Sequence, residues 1–420
     1  MKYSVVRGTK DILPDEVELW QYIEETARKI FAYYNYQEIR TPIFEVTELF
    51  QKSLGDTSDV VAKEMYTFLD KGGRSISLRP ESTASVVRSY IQHSMYKTQK
   101  VSKLYYCGPM FRYDRPQAGR YRQFHQIGVE NLGSAEPFAD AEIISLGVHI
   151  FDELGLSDLS VALNSSGCSV CRPVIEERIK QFLGNSLPHL CKDCQRRFET
   201  KPLRILDCKN KKCNNYFSAL PDIRKSLCQE CKDHFNSVQE YLDSLGIEFK
   251  INPRLVRGLD YYNRTVFEIV SDQLGAQNAI CGGGRYDTLV EKFGGPKVPA
   301  VGFAFGMERT ALVLQSLHDK KEFKKENLKL FIVALGEMQR TKGFYILDEM
   351  RRAGIKSEMS YSDSNLKTQL KLANKLEANY CLIIGEDEVE KGIAVLKNMG
   401  TGDQEELSLD DVVTQVQERI

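Results

Sequence analysis

The sequence lacks the apolar segments that membrane insertion or secretion requires. Residues 1–16, MKYSVVRGTKDILPDE, contain no apolar signal core, and no later stretch is long and uncharged enough to span a bilayer. We therefore expect a cytoplasmic protein with no membrane partner. The sequence also lacks an excess of positive charge, because its formal net charge is −1. Any contact with nucleic acid must then come from local basic patches and not from overall charge.

The chain is long and contains many cysteines. Its 420 residues, of which 42% are hydrophobic, suffice for about two to four domains with ample core. Eleven cysteines would indicate disulfides in a small secreted domain. In a long chain without a secretion signal they indicate free thiols or metal ligands instead.

The segment 105–130, YYCGPMFRYDRPQAGRYRQFHQIGVE, has the composition of an anion-binding hairpin. Leu104–Met110 and Phe124–Val129 have strand composition, and Pro116–Gly119 supplies the breakers of a long loop between two antiparallel strands. Forked guanidinium groups on and around this loop suit polyphosphate or a nucleic-acid backbone, and they belong to Arg112, Arg115, Arg120 and Arg122. The alternative is an exposed strip of ion pairs, because surface arginine is common.

Two other segments combine carboxylates with hydroxyl, guanidinium or phenol groups. Arg79–Thr83 (RPEST) puts a carboxylate and a hydroxyl at a strand-to-helix turn, where they suit a substrate ammonium or simply cap the helix. Leu255–Tyr262 (LVRGLDYY) holds an arginine, a carboxylate and two phenols, which form either a binding site or a buried ion pair.

Two glycine-containing segments complete the set of candidates. Gly282–Asp287 (GGGRYD) permits close approach of the backbone to a ligand, although glycine triplets also form tight turns. Gly302–Arg309 (GFAFGMER) leads from an apolar strand into a helix whose first turn carries Arg309. A cation there is unfavourable beside the helix dipole, so an anionic ligand would compensate it.

Composition divides the chain into several parts. Residues 166–235 contain fourteen Lys and Arg against eight Asp and Glu, together with eight of the eleven cysteines, which indicates an inserted module. After the charged run 318–329, strand and helix patterns alternate as in a small α/β domain. We predict an α+β fold with a domain in two parts, an insertion and a C-terminal domain, with the bounds 1–165 and 246–322, 166–245, and 328–420.

Hydrophobic periodicity places the main elements of the first domain. It predicts helices at 15–35, 82–92, 140–153 and 306–317. It predicts strands at 159–164, 266–270 and 301–305, and short strand-like pieces within 60–78.

Together these segments resemble a known family, the bacterial histidyl-tRNA synthetases. The 105–130 segment resembles the second signature of class II aminoacyl-tRNA synthetases, GFAFGMER the third, and the stretch around Thr41–Glu45 the first, which in this class forms part of a dimer interface. LVRGLDYY and GGGRYD resemble two segments peculiar to the histidine enzyme. The resemblance spans nearly the whole chain and implies a homodimer with an antiparallel catalytic sheet flanked by helices, and a C-terminal anticodon-binding domain.

The resemblance implies a ligase of protein biosynthesis that activates L-histidine with ATP and Mg²⁺ and transfers it to tRNA(His). Arg112 would bridge the histidine carboxylate and the ATP α-phosphate, and Arg257 would hold that phosphate from the other side. Positioned guanidinium groups can stabilise the charge on the phosphate oxygens without a general base. Arg120 and Arg309 would hold the β- and γ-phosphates, with Mg²⁺ sharing the charge.

For histidine, the resemblance implies a pocket with two ends. Glu81 and Thr83 would receive the α-ammonium, Ser82 between them would belong to the histidine-binding set, and Gln126 would receive the backbone end. A carboxylate and three phenols would enclose the imidazole: Glu130, Tyr261, Tyr262 and Tyr286. A buried carboxylate left unpaired would penalise an amino acid without ring nitrogens by several kcal/mol, so no editing site is required.

Four further residues carry expectations of their own. Arg115 and Gln117 lie in the loop that in this family approaches the tRNA acceptor end. His125 and Gln126 are consecutive residues of a predicted strand, so their side chains point to opposite faces of the sheet. We therefore predict a structural role for His125. Ser82 stands where the family's motif usually has Gly, and a left-handed backbone or a close ligand there would be strained by about 1 kcal/mol.

Four cysteine pairs have the spacing of metal knuckles. They supply eight thiols, enough for two tetrahedral zinc sites, and comprise Cys168 and Cys171, Cys191 and Cys194, Cys208 and Cys213, and Cys228 and Cys231. Many members of the family lack these cysteines, so the prediction rests on spacing, and simple thiols remain the alternative. The pairs that share a metal stay undetermined. Cys107, Cys281 and Cys381 are isolated, and we predict that they are packing residues.

Two rival functions remain. A non-catalytic regulatory subunit of ATP phosphoribosyltransferase would lack the anticodon domain and lose the arginines, whereas residues 330–420 and Arg112, Arg257 and Arg309 are all present. A histidine or RNA sensor without turnover would keep the pocket around Glu130 but lose the arginines that bind ATP.

Overall fold

The computed structural model describes residues 3–55, 58–117, 119–156, 159–217, 220–271, 279–317 and 327–420. The chain divides into two units, Met1–Lys320 and Lys321–Ile420. Each unit combines helices with a sheet, which confirms the predicted α+β class. Within the described ranges, no helix is both long and apolar enough to cross a membrane.

The strands of the first unit form a large central sheet and a small one. They are β1 Gln37–Glu38, β2 Phe44–Val46, β3 Thr67–Leu69, β4 Ser75–Leu78, β5 Ser102–Phe111, β6 Gln123–Leu132, β7 Leu159–Ser165, β8 Phe249–Ile251, β9 Asn263–Ser271, β10 Ala279–Arg285 and β11 Ala300–Gly306. The central sheet has the order β1-β5-β6-β11-β10-β9-β7-β8, and the small sheet has the order β2-β4-β3. Neighbours in the central sheet are antiparallel except β1 with β5 and β7 with β8.

The predicted hairpin is confirmed as the pair β5 and β6. The two strands pair from Ser102 opposite Leu132 to Phe111 opposite Gln123, so each is longer than its apolar pattern alone indicated. Strand β11 pairs with the other edge of β6 and sets Gly302 opposite Glu130. The 105–130 segment and the GFAFGMER segment are therefore neighbours in the sheet.

The glycine triplet lies inside strand β10 and not in a turn. A side chain at Gly283 would collide with the carbonyl of Gly302 and with Phe303 on the neighbouring strand, so only glycine fits there. A side chain at Gly282 would occupy the space of the Arg257 guanidinium. The triplet therefore lets the sheet pack closely and leaves room for a functional side chain.

Helices cover the sheet and form the insertion. They are α1 Pro14–Tyr33, α2 Thr47–Leu54, α3 Thr83–Gln92, α4 Pro137–Glu153, α5 Cys171–Leu183, α6 Lys192–Thr200, α7 Lys211–Phe217, α8 Gln229–Ser244, α9 Leu289–Lys292 and α10 Met307–Leu317. The helices predicted for the first domain are confirmed within about three residues, close to the usual uncertainty in where a helix ends. The short strand-like pieces predicted within 60–78 are confirmed as β3 and β4, and Val60–Glu64 at the start of that stretch forms one π-helical turn.

The Cys-rich segment is built from short helices. Helices α5 to α8 are joined by 3₁₀ turns at Gly184–His189, Pro202–Asp207 and Ile223–Ser226. Its core combines aliphatic residues with cysteines, among them Ile175, Ile179, Leu183, Ile205, Cys194, Cys213 and Cys231. The chain then returns to the central sheet at β8, which pairs with β7.

The second unit is a five-stranded sheet with helices. Its strands are β12 Leu330–Ala334, β13 Ser357–Met359, β14 Tyr380–Ile384, β15 Ile393–Asn398 and β16 Gln404–Ser408, in the order β13-β12-β14-β15-β16. Its helices are α11 Glu337–Arg352, α12 Leu366–Lys375, α13 Glu386–Glu390 and α14 Val412–Gln417. The apolar strand β12 is buried throughout and pairs in parallel with β13 and β14, as the alternating strand and helix pattern predicts.

Candidate active site

Two adjoining cavities lie on the central sheet of the first unit. The larger has a volume of about 720 Å³ and the smaller about 280 Å³. Several residues line both, and they include Arg112, Arg120, Gln126, Arg257 and Gly282. Two arginines from segments 145 positions apart in the chain, 112 and 257, therefore lie where the two spaces meet.

Arg112 follows directly after the end of β5 and is held from two sides. Its Nε donates a hydrogen bond to the carbonyl oxygen of Pro80 at 2.9 Å. Its guanidinium carbon lies 5.4 Å from the ring centroid of Phe124 on the paired strand. Burial lowers the pKa of Arg112, so an anion in the cavity would favour its charged form.

Arg257 lies in the extended chain between β8 and β9. Its Nη1 donates to the carboxylate of Glu268 on β9, so the predicted alternative of an ion pair is part of the arrangement. Its Nε is buried and has no hydrogen-bond partner in the described part of the chain. Arg257 therefore keeps a donor available beside the cavities while Glu268 holds the guanidinium in place.

Glu130, Tyr261 and Tyr262 line the smaller cavity, whereas Tyr286 lines neither cavity. Glu130 on β6 is buried and accepts a hydrogen bond from the Tyr286 hydroxyl. The ring centroid of Tyr261 lies 4.6 Å from that of Tyr262 and 5.5 Å from that of Tyr286. Burial raises the pKa of Glu130 to about 8, although the Tyr286 hydroxyl opposes the shift.

Glu81 and Thr83 lie at the start of α3, also in the smaller cavity. The Glu81 carboxylate accepts from the backbone N–H of Thr83 at 2.7 Å and of Ala84 at 3.0 Å, so it caps the helix as the alternative reading predicted. A carboxylate has more lone pairs than these two bonds use. The Thr83 hydroxyl lies 3.4 Å from the Tyr261 hydroxyl.

The backbone of Ser82 does not have the left-handed conformation that would strain a residue with a side chain. Its φ is −106° and its ψ is −16°, so the residue is not left-handed. Its hydroxyl is buried and lies 3.6 Å from the sulfur of Met110. Ser82 does not line either cavity.

Gln126 and His125 lie on β6 and differ in their surroundings. The Oε1 atom of Gln126 is buried, and no described residue donates to it. The ring of His125 packs edge-on against Trp20, and its Nδ1 lies 3.2 Å from the carboxylate of Glu308. Gln126 lines both cavities and His125 neither.

Cations line the outer part of the larger cavity. The Nε of Arg120 lies 2.9 Å from the Asp114 carboxylate, and Arg309 donates to the carbonyl of Ala279 at 2.6 Å. Burial lowers the pKa of Arg309, and the nearby Arg120 adds to that shift. Arg115 and Gln117 are exposed in the hairpin loop and line neither cavity.

Sequence reasoning missed several cavity residues. Tyr106 on β5 lines the smaller cavity, and its position, six residues before Arg112 on the same strand face, could have revealed it. Arg204, Asp207 and Lys209 of the insertion also line the cavities, and no sequence pattern connects them to the motifs.

Arg285 of the GGGRYD segment lies outside both cavities and holds the fold together. It is fully buried and forms an ion pair with the buried Asp140 on α4. Asp140 also lies 3.3 Å from His234 of α8. This cluster ties the sheet to a flanking helix and to the last helix of the insertion.

The eight knuckle cysteines form two separate groups of four. The first contains Cys168, Cys171, Cys228 and Cys231, and the second contains Cys191, Cys194, Cys208 and Cys213. Within each group all sulfurs lie within 4.8 Å of one another. Sulfur pairs lie 3.7, 3.9 and 3.9 Å apart, close to the ~3.8 Å edge of a tetrahedron with a Zn–S distance of about 2.3 Å.

The other three cysteines are isolated, as predicted. Cys281 and Cys381 are buried and Cys107 is partly buried, and none of the three is in a disulfide. Cys281 lines the larger cavity, as do Cys191 and Cys208 of the second knuckle group.

Known proteins resemble this chain over its full length. The family model for histidyl-tRNA synthetase matches residues 8–178 and 200–310, and an anticodon-binding domain model matches 329–419. A histidine–tRNA ligase of Halothermothrix orenii is 50% identical over 423 residues, covering 100% of both chains, and one of Desulfitobacterium hafniense is 50% identical over 96% of this chain and 95% of that one. A solved apo histidyl-tRNA synthetase of S. aureus superposes with a TM-score of 0.83 at 39% identity, covering 99% of this chain and 100% of that chain.

Proposed function

The chain belongs to the histidyl-tRNA synthetase family, and we infer from this membership that it is a class II ligase that charges tRNA(His) with L-histidine. In the first step ATP and histidine form histidyl-adenylate and diphosphate. In the second step a hydroxyl of the tRNA's terminal adenosine attacks the adenylate, the aminoacyl ester forms and AMP leaves. The observation that carries this function is the pair Arg112 and Arg257 at the junction of the two cavities.

In this proposal the smaller cavity holds the amino acid. Glu130 accepts a hydrogen bond from an imidazole nitrogen, and the phenols of Tyr261 and Tyr262 close the pocket. Tyr286 lines neither cavity and supports Glu130 through its hydroxyl. The raised pKa of Glu130 supports this role, because a buried carboxyl without a ligand favours its neutral form and gains from a ring that donates a proton or a hydrogen bond. An amino acid without ring nitrogens leaves these groups unpaired, which disfavours its binding.

The backbone end of histidine faces the start of α3. Glu81 and Thr83 receive the α-ammonium in this proposal, and the Oε1 of Gln126, to which no described residue donates, accepts a hydrogen bond from the substrate. Ser82, which lines neither cavity, contributes through its backbone position and not through direct contact. The carboxylate of the amino acid then points to Arg112.

The larger cavity holds ATP. Arg112 and Arg257 bind the α-phosphate from two sides, and Arg120 and Arg309 bind the β- and γ-phosphates. Two anions must approach each other when the carboxylate attacks the α-phosphate, and fixed guanidinium groups offset that repulsion. Mg²⁺ arrives with ATP and shares the diphosphate charge.

For the tRNA we propose contacts at two places. Arg115 and Gln117 are exposed on the hairpin loop and are available to the acceptor end. The second unit, which matches the anticodon-binding model, reads the anticodon. Because tRNA charging takes place where translation does, a cytoplasmic location stays our prediction.

Each knuckle group holds one structural Zn²⁺ in this proposal. The sulfur separations fit a tetrahedral zinc site, and backbone N–H groups donate to the sulfurs, as from Cys228 to Cys171 at 3.1 Å and from Cys191 to Cys213 at 3.2 Å. Metal analysis of purified protein tests this, and we expect about two zinc ions per chain. Less than one per chain would reject it.

A homodimer is supported by an exposed apolar surface on the small sheet. Phe44 and Val46 on β2 and Phe68 and Leu69 on β3 are 54%, 51%, 48% and 70% exposed. Such a patch on a folded surface marks an interface. Analytical ultracentrifugation should give twice the chain mass of 47.9 kDa, and a monomer at micromolar concentration would contradict this.

The function is tested by amino-acid-dependent exchange of radioactive diphosphate into ATP, with each of the twenty amino acids in turn. We expect exchange with histidine alone. Exchange with another amino acid, or with none, would contradict the proposal, and the second result would favour the regulatory-subunit alternative.

A further inference from the structure

The insertion contributes an arginine to the smaller cavity. Arg204 lies on the 3₁₀ turn Pro202–Asp207, between the cysteines of the second knuckle group. Its neighbours Leu203, Ile205 and Leu206 are buried in the core of the insertion. Arg204 instead lines the cavity that also contains Glu81, Glu130 and Tyr261.

The guanidinium of Arg204 is largely without partners. Its Nε and Nη1 atoms are buried and have no hydrogen-bond partner among the residues that the structure describes. Its Nη2 lies 3.9 Å from the Asp207 carboxylate, too far for a hydrogen bond. The nearby Arg197 differs, since it donates to Asp59 at 2.6 Å and to the carbonyl of Arg204 at 3.3 Å.

Arg204 lies beside Gly258, which follows Arg257 and lines both cavities, so its guanidinium is near the junction where the α-phosphate is proposed to bind. A side-chain Cβ at Gly258 would be 3.8 Å from Nη2 of Arg204 and 3.9 Å from Nη1. Burial lowers the pKa of Arg204 and the charge of Arg197 adds to that shift, while Asp207, Asp260 and Asp59 oppose it. A buried guanidinium with free donors beside Arg257 is therefore suited to an anionic ligand, and a fork of donors fits phosphate oxygens.

Ion pairs fix the insertion over the cavity. Arg197 pairs with Asp59 at 2.6 Å, and Lys201 pairs with Asp260 at 2.6 Å. Both acidic residues belong to the part of the first unit that surrounds the cavity. The turn that carries Arg204 comes directly after Arg197 and Lys201 in the chain, so these two ion pairs fix its position relative to the cavity.

We propose that Arg204 binds a phosphate group of the aminoacylation reaction, so that the insertion completes the active site. This rests on the proposed function. The phosphate comes either from ATP and its adenylate or from the terminal phosphodiester of the tRNA, and both present the same oxygen acceptors to the guanidinium.

The test uses Arg204→Ala and Arg204→Lys in the full-length chain with its metal. The control is Arg178→Ala, which removes an exposed arginine from α5 of the same insertion. Two rates are measured: histidine-dependent ATP–diphosphate exchange without tRNA, and single-turnover transfer from preformed adenylate to tRNA. Melting temperature and zinc content show whether each variant folds.

If ATP is the source, Arg204→Ala lowers kcat/KM for ATP in exchange at least tenfold. If tRNA is the source, exchange is unchanged and the transfer step falls at least tenfold. In either case Arg204→Lys recovers part of the loss, because it keeps the charge and loses the fork, and Arg178→Ala stays within twofold of wild type.

The proposal is overturned if folded Arg204→Ala and Arg204→Lys keep both rates within twofold. It is also overturned if the loss appears only together with lost zinc or a lower melting temperature and folded Arg204→Lys behaves as wild type. Failure of exchange in the wild type would refute the proposed function itself, and the two failures are thus distinguishable.

Discussion

The sheet and the insertion contribute to the same cavities in different ways. Strands β5, β6, β11, β10 and β9 are paired in one ladder that carries Glu130 and Glu268. Adjacent segments add Tyr286, which donates to Glu130, and Arg257, which donates to Glu268. The insertion presents Arg204 from a short turn, and the core of the insertion contains cysteines. A site on the sheet is preorganised by backbone pairing, whereas the part on the insertion depends on whatever holds the cysteines together.

The largest effect should come from the sheet side of this comparison. Replacing Arg257 with Ala removes a guanidinium from the junction of the cavities, and we expect histidine-dependent ATP–diphosphate exchange to fall by about 10³-fold or more. Arg254→Ala is the matched control, since this arginine is exposed three residues earlier in the chain. Near wild-type exchange in Arg257→Ala would refute its proposed role.

The insertion should respond to loss of metal. We expect Cys208→Ser to reduce bound zinc by about one ion per chain and to raise the KM for ATP on the order of tenfold, because Cys208 lines the larger cavity. Cys381→Ser, in the second unit, should change neither quantity. Unchanged zinc content in Cys208→Ser would show that Cys208 is not a zinc ligand.

The pH dependence of stability tests the burial of Glu130 on the central sheet. The pKa of Glu130 is raised from 4.5 to about 8 in the folded chain, so the folded state keeps a proton that the unfolded state releases. Its contribution to stability therefore decreases as pH rises through this range. Between pH 6 and pH 8 the free energy of unfolding of Glu130→Gln should fall by about 1–2 kcal/mol less than that of the wild type, as measured by urea unfolding. Identical pH slopes in both proteins would contradict the burial argument.

The smallest effect concerns Ser82. Because its backbone is not left-handed, glycine offers no relief of strain and adds freedom to the unfolded chain. We expect Ser82→Gly to lower the free energy of unfolding by about 0.5–1 kcal/mol. An increase in stability would show strain at this position after all.

The sequence made the sheet side predictable because strand alternation and turn residues act locally. The hairpin around Arg112 follows from its apolar pattern and from Pro116 in the loop, and the structure extends it by a few residues. The strand that leads into α10 follows in the same way from residues 300–306. Local chemistry does not determine which of these segments become neighbours, and the family resemblance supplied that information.

The insertion was less predictable for physical reasons. Four cysteine pairs allow several groupings, and spacing alone does not decide that Cys168 joins Cys228 while Cys191 joins Cys208. Arg204 reaches the cavity only because the module folds back on the sheet. Arg285 is similar, since its partner Asp140 lies 145 residues earlier in the chain.

The central claim is that Arg112 and Arg257 join an amino-acid cavity to a nucleotide cavity. A crystal structure with a non-hydrolysable histidyl-adenylate analogue tests it most directly. We predict that the group replacing the phosphate lies within hydrogen-bond distance of both guanidinium groups, with the imidazole on Glu130. An analogue bound with its imidazole away from Glu130, or touching neither arginine, would contradict the account.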